Sequence, residues 1–451
     1  MRWAFIGASN IASQWMVDAV RSVGDEVLAV VSRDAARAQA FADRHGIAHA
    51  LTDEAGLQAL GVQAVYISST NEKHEASVLR AAGSGLHVLC EKPLATSLES
   101  AQRMVRACAD AGVTLASNFH LRHNLAHQQM HDAVQSGALG TLVSVRLNHS
   151  VFLPQHLQGW RLTDKVAGGG VVLDIAVHNA DSLAFILGEY PARVTALTSN
   201  SGMGQGLEDN AMSLWHFPSG VTAFTHQGFA TPYGEKGIEL LGTRATLKGV
   251  SMLDQGAPGT LTWMSKQGAT TNALEDRNLY TQVLTHFHQA LRGAPHHMAD
   301  GVAGLKALAV ALAILESART GTTVAVDYGA PQDSTPQGDW QCAAVSHDLP
   351  AHKPLAVTLD GKAIVLYRQA NGAPVAMDDR CPHRWSPLSD GRVEGDHIVC
   401  PQHGFQFCPR GHLVQAPGQA SMPGVGSARV YPVLEKDQAI WIQLAAPDTA
   451  A

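Results

Sequence analysis

Cys381-Pro-His383 and Cys400-Pro-Gln-His403 put one cysteine and one histidine in each of two short segments, with sixteen residues between the segments. Two thiolates can hold one iron of a [2Fe–2S] pair while two neutral imidazoles hold the other. Neutral nitrogen in place of anionic sulfur raises the reduction potential above that of an all-cysteine cluster. Zinc is the competing chemistry, but zinc fingers usually separate their first ligands by about two to four residues rather than one. The metal set expected is therefore Cys381, His383, Cys400 and His403, a one-electron centre.

A second chemistry is written near the N-terminus. Gly7-Ala-Ser-Asn-Ile-Ala12 follows the apolar run Trp3–Ile6 and precedes a helical pattern from about Ile11. A strand–turn–helix of this kind aims backbone amides and a helix N-terminus at a pyrophosphate. Gly7 would make the tight turn and Ala12 would allow close helix packing, while Ser9 stands where the usual motif has its second glycine. Gly7, Ser9, Asn10 and Ile11 are thus candidate cofactor contacts. A second strand ends at Val31-Ser32-Arg33-Asp34. An acid at that tip would bond the ribose hydroxyls of NAD, whereas Ser32 and Arg33 suit a 2′-phosphate. The reading leans toward NADP, with Asp34 as the counter-indication.

These residues need elements to position them. Over the first 120 residues, apolar runs at Trp3–Ile6, Val27–Val31, Ala64–Ile67 and Leu86–Cys90 alternate with helical patterns, which predicts a parallel sheet covered on both faces. From about Leu142 the runs become longer and rich in Val, Thr and Leu, and a helix is expected over Asp300–Arg319. The stretch 329–339, GAPQDSTPQGD, reads as a linker. Short strands and turns follow from Trp340. The fold class expected is an α/β Rossmann domain (1–121), an α+β open-sheet domain (122–328), the linker (329–339) and a small all-β domain (340–446).

Composition narrows the partners. The 451 residues are 45% hydrophobic and 16% charged, with net charge −7. No Lys/Arg-rich block is present, so neither nucleic acid nor an anionic membrane is expected to bind. The N-terminus shows no cleavable signal pattern, and the apolar stretch around Ala307–Leu315 is too short to cross a bilayer. Cys90, Cys108, Cys342 and Cys408 have no disulfide spacing, so a reducing, cytoplasmic setting is expected.

Two family resemblances sharpen this. CPHRWSPLSDGRVEGDHIVCPQHGFQF resembles the Rieske domains of ring-hydroxylating oxygenase systems and their ferredoxins. Ser386 and Gln402 occupy the positions where respiratory Rieske proteins carry a disulfide, so the resemblance is to the low-potential type. Tyr66-Ile-Ser-Ser-Thr-Asn71, His74, Glu91-Lys92-Pro93 and Gly168-Gly-Gly-Val-Val-Leu-Asp174-Ile-Ala-Val-His178-Asn-Ala-Asp181 resemble the Gfo/Idh/MocA oxidoreductases over about residues 1–328. That resemblance implies NAD(P) as cofactor and catalytic roles for Lys92, Asp174 and His178. It also implies cofactor contacts from Ser69, Thr70, Asn71, His74, Glu91 and Lys92, and a homo-oligomer built on the open sheet. The residue types suit the roles. Residues four apart on a helix share a face, a neutral imidazole can take a hydroxyl proton, and an ammonium can stabilise a developing alkoxide. The alternative is that Asp174 caps a helix and His178 packs inside it.

His120, His123, His127 and His131 are weighed separately: the last three recur every four residues, but no carboxylate stands beside them and the family needs no metal there. Arg122 and Arg161 are candidate substrate residues because a guanidinium can clamp a carboxylate through two parallel bonds.

A nicotinamide moves two electrons as hydride and a [2Fe–2S] cluster moves one, and no flavin signature links them. Only 48 residues follow His403, too few for the mononuclear iron domain of a terminal oxygenase. The cluster is expected to serve partner proteins, a reductase and an oxygenase. The leading reading is a dehydrogenase for the cis-dihydrodiol of an aromatic carboxylate fused to the oxygenase's electron carrier. A sugar or polyol dehydrogenase with a Rieske carrier for a monooxygenase is the alternative, and a non-enzymatic redox-sensing or docking module is the third.

Overall fold

The computed structural model describes residues 1–256, 259–329, 340–370, 372–416, 426–436 and 439–444. Contacts divide the chain into two units, Met1–Tyr328 and Gly329–Ala451. Of the linker expected over 329–339, only Gly329 lies within the described residues.

In the first unit a six-stranded parallel sheet runs in the order His49–Leu51, Glu26–Val31, Arg2–Ile6, Ala64–Ile67, His87–Cys90, Leu115–Ser117. The order reverses direction between Arg2–Ile6 and Ala64–Ile67, and such a switch point opens a ligand crevice at the carboxyl ends of the strands. Their residues are almost wholly buried, as a doubly covered sheet requires. Gly7 turns the chain at φ +107°, and a Cβ there would lie 2.9 Å from the Ser69 backbone nitrogen. Only glycine lets these two crevice turns approach so closely.

The helix after this turn begins as a π-helical segment, Ala12–Met16, before becoming α over Val17–Ser22. A second π-helical segment, Val172–Ala176, leads into the α-helix Val177–Leu187. Sequence periodicity reads both as ordinary helix. Such π segments concentrate at functional sites.

A nine-stranded sheet follows, in the order Gly268–Ala273, Thr260–Ser265, Ala245–Val250, Gly237–Gly242, Leu142–Ser150, Thr222–Gly228, Asn210–His216, Arg193–Ser199, Val324–Ala325. It is antiparallel except where Leu142–Ser150 pairs with Thr222–Gly228. Along Asn210–His216 buried residues alternate with exposed ones, so one face is packed and the other open.

Two features depart from the sequence reading. The helix Leu279–Leu291 does not stay with the second sheet. Its Tyr280, Val283, Leu284 and Phe287 join the core of Trp3, Phe5, Met16 and Val20 on the first, and His288 Nε2 lies 2.7 Å from Asp25. The helix Gly301–Thr320, capped by Asp300, is 20 residues long, enough to cross a membrane by length and composition alone. It packs instead inside the unit, against Leu98–Asp110, Val177–Leu187 and Arg193–Ser199.

The second unit is all-β, with three small antiparallel sheets among the described residues. Arg392–Glu394, His397–Val399, Gln406–Phe407 and Leu413–Gln415 form the sheet that carries the Cys400 loop, while the Cys381 loop follows the strand Pro374–Asp378 of a neighbouring sheet. One core unites Val365, Met377, Cys381, Leu388, Ile398, Cys400, Phe405 and Phe407.

Candidate active-site crevice and cluster loops

A cleft of about 1660 Å³ opens at the switch point of the first unit. It is lined by Gly7, Ser9, Asn10, Ile11, Ser32, Arg33, Ser69, Thr70, Asn71, Glu91, Lys92, Arg161, Asp174 and His178. Residues from distant stretches of the chain thus converge on one space.

At the phosphate end, Ser9 shows why a second glycine is dispensable. Its Oγ accepts from the Ala12 amide at 3.1 Å and donates to Ser68 Oγ at 2.8 Å, so the side chain folds into the turn. At the strand tip Asp34 is used as the N-cap of Ala35–His45, accepting from Arg37 N at 3.1 Å. Arg37 lays its guanidinium on the Ala8 carbonyl, at 3.0 and 2.8 Å. Arg33 and Arg37 therefore place two cations beside this end of the cleft. Ser69 Oγ is buried without a hydrogen-bond partner, and a bound polar group would satisfy it. These donors, cations and the glycine turn fit a dinucleotide.

At the chemical end, Lys92 follows Glu91 and precedes a cis bond to Pro93. Glu91 accepts from Tyr66 Oη and Asn118 Nδ2, both at 2.6 Å, which fixes the turn. Lys92 Nζ donates to Asp174 Oδ1 at 2.9 Å and to the Asp174 carbonyl at 2.8 Å; Arg161 Nε reaches the same carboxylate at 3.4 Å. Although burial alone would raise it, the Lys92 and Arg161 charges hold the Asp174 carboxyl well below the ordinary carboxylate range. His178, 8% exposed, packs edge-on to His120 at 5.3 Å between ring centres and lies 6.3 Å from His149. Burial, then the Lys92 charge, push its pKa well below the usual value. The imidazole is neutral and can accept a proton.

The glycine run 168–170 explains how the 172–178 helix is held. Gly170 sits at φ +101°, and a Cβ there would collide with the Glu208 carboxylate. That carboxylate accepts from Val172 N at 3.2 Å, and the Glu208 carbonyl accepts from Val171 N at 3.0 Å. Asn71 Nδ2 reaches the Gly168 carbonyl at 3.4 Å, tying the crevice turn to this one.

Two expected residues belong elsewhere. Arg122 is buried and points its guanidinium at Asp181, with contacts of 2.6 to 2.9 Å, and it does not line the cleft. Its fork is consumed by an interior carboxylate rather than offered to a substrate. His74 is fully buried, wedged between the carbonyls of Ser69 (3.1 Å), Pro93 (3.1 Å) and Leu94 (3.3 Å), and braces the cofactor turn from behind instead of facing a cofactor. Of the four separately weighed histidines, His120 lines the cleft. His123 stacks on His286, His127 faces Ser182 Oγ at 3.1 Å, and His131 donates to the Phe185 carbonyl at 2.7 Å. Among the described residues no three His, Cys, Asp or Glu side chains converge as a mononuclear metal site.

Sequence reasoning missed His149, Trp160, Glu208, Lys236, Asp254, Gln255 and Tyr280. His149 was findable: with Val145 and Leu147 it takes the buried positions of an alternating strand. The others depend on long-range packing.

In the second unit Cys381 N donates to the Ser386 carbonyl and Cys400 N to the Phe405 carbonyl, both at 2.8 Å, so each cysteine heads a closed turn. Cys381 and Cys400 are both buried, and burial, then Cys400, push Cys381 toward the thiol form, so the two side chains are neighbours. The His383 and His403 rings lie 4.9 Å apart between centres. His383 stacks on Phe405 at 4.4 Å, and its Nδ1 is buried with no partner. Two buried cysteines, two neighbouring imidazoles and an orphaned ring nitrogen fit a [2Fe–2S] pair that takes two ligands per iron.

Known proteins agree with both halves. Residues 1–119 match the model of an oxidoreductase family with an NAD-binding Rossmann fold, 127–248 that of the GFO/IDH/MocA C-terminal domain, and 339–432 that of the Rieske [2Fe-2S] domain. The fold and crevice define an NAD(P)-dependent oxidoreductase with an appended iron–sulfur domain. A 1,5-anhydro-D-fructose reductase of Ensifer adhaerens is 43% identical over 73% of this chain and 99% of its own length. A D-xylose 1-dehydrogenase (NADP(+)) of Haloferax volcanii is 31% identical over 72% of this chain and 100% of its own. The chain belongs to the Gfo/Idh/MocA family. The iron–sulfur subunit of a toluene-4-sulfonate monooxygenase system from Comamonas testosteroni is 39% identical over 25% of this chain and 32% of its own length, so that likeness concerns the Rieske part alone.

Proposed function

We propose that the first unit interconverts a secondary alcohol and a carbonyl on a sugar or polyol with NADP(H), and that the Rieske unit carries single electrons for a separate oxygenase. One observation carries the first half: Lys92, Asp174 and a neutral His178 meet at the crevice of a chain whose full-length relatives are named for sugars. The dihydrodiol of an aromatic carboxylate, the leading expectation above, gains no such support. Arg122 is spent on Asp181, and Arg161 already faces Asp174.

When bound, the nicotinamide supplies a two-electron hydride partner and the [2Fe–2S] pair a one-electron store. Around the nicotinamide, the residues manage the proton. His178 takes it from the substrate hydroxyl during oxidation and returns it to the alkoxide oxygen during reduction. Lys92 donates to the same oxygen, and Asp174 aims the ammonium by holding it from below. His120, His149 and Tyr280 line the walls beside His178. Ser32, Arg33 and Arg37 receive the 2′-phosphate. In the other unit, Cys381, Cys400, His383 and His403 hold the iron pair at the loop ends.

A homo-oligomer is supported by exposed apolar cross-strand pairs on the open face of the large sheet, Leu197 with Met212 and Leu214 with Phe224. Cys90, Cys108, Cys342 and Cys408 form no disulfide, in keeping with a reducing compartment.

The test is a substrate panel on the purified full chain. It comprises 1,5-anhydro-D-fructose with NADPH, D-xylose with NADP+, and a carboxylated cis-dihydrodiol with either oxidised cofactor. Turnover of a sugar, faster with the phosphorylated cofactor, is expected. Turnover of the dihydrodiol alone would overturn the reading.

A further inference from the structure

Trp385 stands out in the second unit. Its backbone adopts φ 62°, a left-handed conformation uncommon for a bulky residue. The cause is the turn that presents Cys381: Trp385 N donates to the Cys381 carbonyl at 2.8 Å, and the Ser386 carbonyl accepts from Cys381 N at the same distance. Closing this turn pushes the indole outward, where it is 70% exposed, two residues after His383. His403, the other histidine of the set, is also exposed. A large aromatic held in water beside an electron-carrying site has no folding role to explain it.

The loop itself carries two exposed cations, Arg380 and Arg384, and the first acid after them is the exposed Asp390. The preceding acid, Asp379, is buried and accepts from Ser389 N at 2.7 Å and Ser389 Oγ at 2.6 Å. The Cys400–Phe405 loop has no Asp, Glu, Lys or Arg. The Cys381 loop thus carries an exposed indole with two exposed guanidinium side chains close to it in the chain.

We propose that Trp385, with Arg380 and Arg384, is the docking contact for an acidic one-electron protein, whose matching face is apolar with carboxylates around it. The inference rests on the reading that this unit passes electrons outward. Buried tryptophans dominate the energy of many protein interfaces, and complementary charge raises the encounter rate in a salt-dependent way.

The experiment uses the full chain with its iron–sulfur centre intact, reduced with dithionite and freed of excess reductant. It is mixed in a stopped-flow instrument with ferric cytochrome b5, an acidic haem protein. One electron leaves the iron–sulfur centre and reduces ferric haem to ferrous. Neutral 1,4-benzoquinone serves as an oxidant that needs no docking. Trp385→Ala is expected to slow the bimolecular reaction with cytochrome b5 about tenfold or more, and Trp385→Phe to recover most of it. The double variant Arg380→Gln, Arg384→Gln should lose rate at low salt and lose its salt dependence. All variants should keep the parent visible spectrum, midpoint potential and quinone rate. A parent-like rate for Trp385→Ala, or a parent protein that fails to reduce cytochrome b5, overturns the proposal. A parent protein lacking an iron–sulfur spectrum would overturn the electron-carrier reading instead.

Discussion

Histidines do opposite things in the two units. In the first unit, His120, His149 and His178 at the crevice and His123 and His127 behind it are all buried, and burial is the largest cause depressing each pKa. At the cluster loops His403 is exposed and His383 only half-buried. Hydride and proton transfer profit from a dry site in which few dipoles must reorganise. An electron that leaves for another protein needs its carrier near the surface. The contrast teaches that the side chain alone does not announce its task. Burial and neighbours assign it.

A reciprocal pair of variants should separate the two units most clearly. Lys92→Met should cut NADP(H)-dependent sugar turnover by about a hundredfold to a thousandfold and leave the iron–sulfur absorbance unchanged. Cys400→Ser should abolish bound iron and sulfide while sugar turnover stays within about twofold, since among the described residues those lining the crevice belong to the first unit. A variant that damages both activities while remaining folded would show that the two centres are coupled.

Acid should reveal the buried histidines next. His120 and His127 are pushed down to about 3 and His149 to about 4, against an ordinary value near 6.5. The folded protein keeps these rings neutral while the unfolded chain takes up protons as pH falls below about 6.5. The stabilisation is therefore complete above that value. It declines between about pH 6 and 4 by up to about 1.4 kcal/mol per pH unit for each ring. Urea midpoints at pH 7, 6 and 5, followed by tryptophan fluorescence, should fall steadily. Equal midpoints at pH 7 and 5 would contradict the neutral, buried cluster.

The smallest effect concerns the residue removed from the substrate set. Arg122→Met should cost about 3 kcal/mol of stability, because Asp181 is left buried without the guanidinium that offsets its burial. The sugar KM should stay within about twofold. A selective rise in KM at unchanged stability would return Arg122 to the substrate.

Much of this molecule was legible in its residue order. The cluster set follows from local spacing, and the turn at Gly7 and the Glu91-Lys92-Pro93 segment carry their own geometry. Arg122 and His74 misled because residue type reveals reach but not partner: Asp181 is 59 positions from Arg122, and Pro93 is 19 from His74. The return of Leu279–Leu291 to the first sheet was hidden for the same reason. Its amphipathic pattern states that one face is buried but not against what. Ser9 was read as a departure from a glycine motif, and its hydrogen bonds to Ala12 and Ser68 show how the departure is accommodated.

The fit between Gly170 and Glu208 has a consequence for anyone retooling this scaffold. Two segments 38 positions apart are interlocked like a latch and its strike, so random diversification at either one would mostly yield dead clones. Variation along 151–157, which also faces the cleft, leaves that latch alone. New specificities are better sought there.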